Sequence, residues 1–74
     1  MNKKSIEINL TRSEALVLFE WLASDKGGQR EIPDQAEQTV LLRIEAQLES
    51  KLVEIVKPDY RDLVQSAKNE IVGN

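Results

Sequence analysis

A chain of 74 residues has room for one domain and only a small core, and this one holds no cysteine and no histidine. Disulfides, thiolate metal sites, the commonest metal ligand and the commonest general base are therefore all missing, so self-association is the support left for so small a core. The net charge of −3 comes from acids and bases mixed along the chain, which is unlike the clustered basic face of a strong nucleic-acid binder.

Residues 1–12 carry Lys3, Lys4 and Arg12 against Glu7, a weakly basic start to an otherwise mildly acidic chain. Within them, residues 5–10 alternate: Ile6, Ile8 and Leu10 fall on one side and Ser5, Glu7 and Asn9 on the other. That period predicts a short half-buried strand over 5–10. A strand needs a partner for its backbone groups. The candidates are the same strand of a second chain, or residues 52–56 (LVEIV) as a second short strand. The alternative is an N-terminal arm lying on the helices.

The first helix is predicted over 12–24. Thr11 followed by Glu14 is a capping-box pattern, with Leu10 and Ala15 at the staple positions. From Ala15 to Ala23 every residue but Glu20 is apolar, leaving a polar strip of Ser13, Glu20 and Ser24. Such a helix must be covered on several sides, by its own chain or by another. Phe19 and Trp21 are about 200° apart around the axis, so they cannot share one narrow seam. One of them is a candidate for contact outside the core, and Val17, Phe19 and Trp21 form the candidate interaction surface.

Gly27 and Gly28 then read as a helix stop and turn. They are not a phosphate loop, since no buried strand precedes them and no Lys-Ser or Lys-Thr follows. Pro33, Asp34 and Glu37 announce a second helix over 35–51. Its main stripe is Val40, Leu41, Ile44, Leu48 and Leu52, with Leu42, Ala46 and Val53 as a thinner second one. Residues 52–56 either extend this helix or turn into strand. Pro58 breaks the pattern, and Asp59, backed by Asp62, reads as the cap of a third helix over 59–72. Tyr60, Leu63, Val64, Ala67 and Ile71 make its buried side, and Gly73 ends it.

No catalytic constellation emerges. Glu31, Asp34 and Glu37 gather where capping and the helix dipole already call for acids, and Glu45 and Glu49 lie one helical turn apart. Paired-acid catalysis needs carboxyls in contrasting, partly desolvated settings. No serine has a partner base. The expectation is no enzyme activity, no cofactor, no metal and no small-molecule substrate. The longest apolar run, Ala15 to Phe19, is too short for a membrane span, and no signal peptide is visible, so a cytoplasmic location is expected.

The segments LTRSEALVLFEWL, DQAEQTVLLRIEAQLE and KPDYRDLVQSAK together resemble a family of short bacterial proteins of unknown function. The likeness runs from about Ile6 to Lys68. It rests on Leu10-Thr11 with Glu14, Leu22, Ala36-Glu37 with Leu41, Leu48-Glu49, and Pro58 with Tyr60. These are caps, core positions and a helix break, so the resemblance implies a shared fold and no particular activity. A short strand before two helices is also similar in outline to the ribbon-helix-helix DNA-binding fold, whose paired strands enter the major groove. Against that stand Glu7 among the outward residues, a longer connector and a third helix. The sequence thus predicts a mainly α single domain over 1–74, acting through a protein partner or a homodimer. A dimeric ribbon-helix-helix-like DNA-binding regulator is the alternative.

Overall fold

The computed structural model describes residues 4–24 and 34–73. Within them the chain forms α1 (Arg12–Ala23), α2 (Gln35–Lys51), a short 3-10 helix (Val53–Val56) and α3 (Tyr60–Val72). The three α-helices pack together, as the apolar periodicity predicts. The turn expected at Gly27-Gly28 lies outside the described residues.

The start of α1 is built as its residues dictate. The Glu14 amide donates to the Thr11 hydroxyl at 3.1 Å, and the Thr11 amide donates to the Glu14 carboxylate at 2.9 Å. Both free donors of the capping box are thereby satisfied. At α2 the Asp34 carboxylate accepts from the Ala36 and Glu37 amides. The last helix starts differently from expectation. The Asp59 side chain makes no capping bond. Instead the Tyr60 amide donates to the Lys57 carbonyl at 3.1 Å, closing a turn around Pro58 and Asp59. Pro58 stands second in that turn and Asp59, at φ −97° and ψ 25°, third, which are the places a type I turn offers a proline and a near-bridge backbone. At the other end Gly73, at φ 118°, terminates α3 in a conformation that a side chain would strain.

Two further expectations are corrected. Residues 52–56 are not a strand: the Leu52 amide still donates to the Leu48 carbonyl, and Val53–Val56 winds into the 3-10 turn, closed by Lys57 onto Glu54. The strand expected over 5–10 does not form either, and the physical reason follows from the first correction. With 52–56 helical, no other described segment is extended enough to pair with it, and strand backbone without a ladder gains nothing. Nor does this segment lie on the helices as an arm, since Ile6 and Ile8 are 88% and 78% exposed.

The core is one cluster of Leu16, Phe19, Leu52 and Ala67, flanked by Ala15, Val17, Leu48, Ile55 and Tyr60. Leu22 and Val64 are also buried. The polar strip of α1 turns toward α3. The Ser13 hydroxyl donates to Glu70 and the Tyr60 hydroxyl to Glu20, both at 2.9 Å. Advancing along α1 therefore means going backward along α3, and the two helices run antiparallel.

Candidate functional site

The three residues predicted as an interaction surface are not placed together. Phe19 is 9% exposed and belongs to the core cluster, Val17 lies half-buried along its edge, and Trp21 is 48% exposed. The geometric conflict between Phe19 and Trp21 is thus resolved with Phe19 inward and Trp21 outward. The apolar girdle of α1 is covered on two flanks, by α2 and α3.

The uncovered apolar surface lies mostly elsewhere. Over its whole length, α2 has no fully buried residue. Val40, Leu42 and Val53 are exposed, and a shallow apolar groove along the first turns of α2 is lined by Ala36, Glu37, Val40 and Leu41. Val56 and Val72 also face solvent. Val40, expected on the main stripe, is 54% exposed, whereas Leu41, Ile44 and Leu48 of that stripe are partly buried. The thinner stripe of Leu42, Ala46 and Val53 was the available signal for a second apolar side on this helix.

The surface is large for the mass. The chain exposes 6261 Å². A compact monomer of 8.4 kDa would expose about 4600 Å². The radius of gyration is 13.8 Å, where a compact chain of this length would give about 11 Å. Part of the excess belongs to the segment ahead of α1.

Polar groups at the helix junction tie the elements of the fold together. Arg12 holds Glu54 through two parallel bonds of 2.7 Å, from Nε to Oε2 and from Nη2 to Oε1. That pair ties the start of α1 to the 3-10 turn, and nothing in the sequence signals it, because the partners are 42 positions apart. The Arg12 hydrogen bonds, helped by a backbone amide bond, lower the Glu54 carboxyl to about 2. Its folded pKa is below the unfolded value of about 4.3, so its stabilising effect is complete above that value. It is lost as pH falls from about 5 through about 2. The expected result is an acid-side drop in the denaturation midpoint that Arg12→Met removes, checked by denaturant titrations across that range. An Arg12→Met chain with an unchanged acid limb counts against the pair.

Tyr60 beside Glu20 is pushed well above the usual tyrosine range, by burial first and then by its hydrogen bond and the carboxylate charge. A phenol so held stays protonated and is a poor base or nucleophile. Glu20, Tyr60, Arg61, Val64, Gln65 and Lys68 border an open polar cleft there. Among the described residues no three acids are grouped to hold a metal ion, and no helix is long and apolar enough to cross a membrane. The fold and its surface define a small three-helix protein with an unsealed apolar edge. Comparison with protein-family models, with curated proteins and with solved structures finds no match to this chain.

Proposed function

We propose that this chain is a cytoplasmic protein-interaction module, without catalytic activity, that completes its core by associating with its own copy or another protein. The large apolar side chains left in water, Ile6, Ile8, Val40, Leu42, Val53 and Val56, carry this reading. Two features agree with it. None of the core side chains is completely sealed from solvent, and α2 presents Val40 and Leu42 to water. Single exposed apolar residues are ordinary; a helix with apolar residues outward on two stripes favours a covering surface. Trp21, the only tryptophan, is the aromatic residue best placed to join such a contact.

Sedimentation of the full chain over rising concentration tests the self-association. The expected outcome is a dimer or larger species at high micromolar concentration, with Trp21 emission becoming harder to quench as it forms. A clean monomer at that concentration removes self-association. The DNA-binding alternative has less behind it, because the net charge is −3 and Glu7 sits among the residues that would face the groove. Duplex binding at low salt that weakens with added salt would revive it.

A further inference from the structure

The segment Ser5–Leu10 has strand chemistry and, in this chain, nothing to pair with. Its residues make no hydrogen bond to other described residues and take part in no helix or ladder. Ile6 and Ile8 are almost fully exposed, while Leu10, next to the α1 cap, is 42% exposed. An alternating apolar segment with its amides and carbonyls open is a template for another extended chain.

We infer that Ser5–Leu10 pairs with the same segment of a second copy, as an antiparallel two-stranded ribbon with Ile8 facing Ile8 across the two-fold axis. This rests on the self-association proposed above and names the segment that carries it. Antiparallel pairing about a two-fold axis makes each residue's partner a fixed function of its position, so the registers can be compared one by one. With Ile8 across from itself, Ile6 meets Leu10 and Glu7 meets Asn9. Within Ser5–Leu10 one face is then wholly apolar and no like charges oppose each other; Lys4 falls toward Arg12 only beyond the ribbon, where the chain is already helical. Shifting one step along the same face sets Glu7 against Glu7, which is unfavourable at direct cross-strand positions. A second step sets Lys4 against Ile8. Shifting the other way brings Ile6 beside Arg12, which is already helical. The registers between these put apolar residues against polar ones.

The partner is a second copy because the segment complements itself in one register, in both apolar pattern and charge, and no other described segment is extended enough to pair with it. A two-stranded ribbon is marginal in water. Its apolar side therefore has to be covered in the same association, and the exposed Val40 and Leu42 of α2 are apolar surface of the kind that can do so.

The chain has no cysteine, so single cysteines report cleanly. Under mild oxidation Ile8→Cys should form a covalent dimer far faster than Ile6→Cys, because position 8 meets its own copy and position 6 does not. The pair Ile6→Cys with Leu10→Cys should cross-link as well. Ile8→Glu should leave the helical circular dichroism unchanged, since Ile8 is exposed in the single chain, yet weaken association by about 100-fold. A parent chain that dimerises while Ile8→Cys cross-links no faster than Ile6→Cys overturns the ribbon and leaves self-association standing. A parent chain that stays monomeric at high micromolar concentration overturns both.

Discussion

Phe19→Ala should leave this chain largely unfolded at room temperature. Phe19 is the largest side chain of the core cluster, in contact with a neighbourhood supplied by all three helices. Removing a buried phenylalanine ring costs about 3–5 kcal/mol, from lost transfer energy and the cavity left behind. A domain of this length has roughly 4–11 kcal/mol in total, and its small core puts it toward the lower end. No neighbour can slide in to fill the gap, because the core holds few side chains. Trp21→Ala is the internal control. It also deletes a large aromatic from the same helix two positions on, but from a half-exposed site. Its cost to the single chain should be well under half that of Phe19→Ala. Urea titrations followed by circular dichroism measure both. Equal losses would contradict the inward placement of Phe19 and the outward placement of Trp21.

Leu52→Ala should be the next most damaging change, and it should show in two places. Leu52 is 4% exposed and sits where α2 ends and the 3-10 turn begins, packed with Leu16, Phe19 and Ala67. Truncating a buried leucine costs about 2–5 kcal/mol. The same side chain seats the turn that carries Glu54, so its loss loosens the paired bonds to Arg12. The Glu54 carboxyl should then climb from about 2 toward the ordinary glutamate range. Carboxyl titration followed by NMR reads that shift apart from the loss of stability. A destabilised variant whose Glu54 still titrates at about 2 would mean that the 3-10 turn is held without Leu52.

Exposed edges matter as much as the core in so small a protein. Ile6, Ile8, Val40 and Leu42 are among the places where the single chain leaves apolar area in water, and covering such area is what association has to offer. The two halves of the functional reading are separable for that reason. The proposal that something covers this chain rests on that exposure, and the proposal that the cover is a second copy rests on the self-matching register of Ser5–Leu10.

Helix positions were legible in the sequence because they depend on local chemistry. The Thr11–Glu14 box, the Asp34 cap, the Gly73 stop and the three- and four-residue spacings of Leu16 with Phe19, Leu48 with Leu52 and Val64 with Ala67 act within a turn or two of chain, and the structure realises them. The chain alone also implied that Phe19 and Trp21 must part, since helix geometry sets the angle between them. Tertiary structure decided which of the two turns inward, where the cover on α2 ends, and that Arg12 reaches Glu54 from far away in sequence. It decided as well that residues 52–56 wind into a 3-10 turn while 5–10 lack a partner in their own chain. A strand is a property of two segments, and periodicity in one of them cannot supply the other.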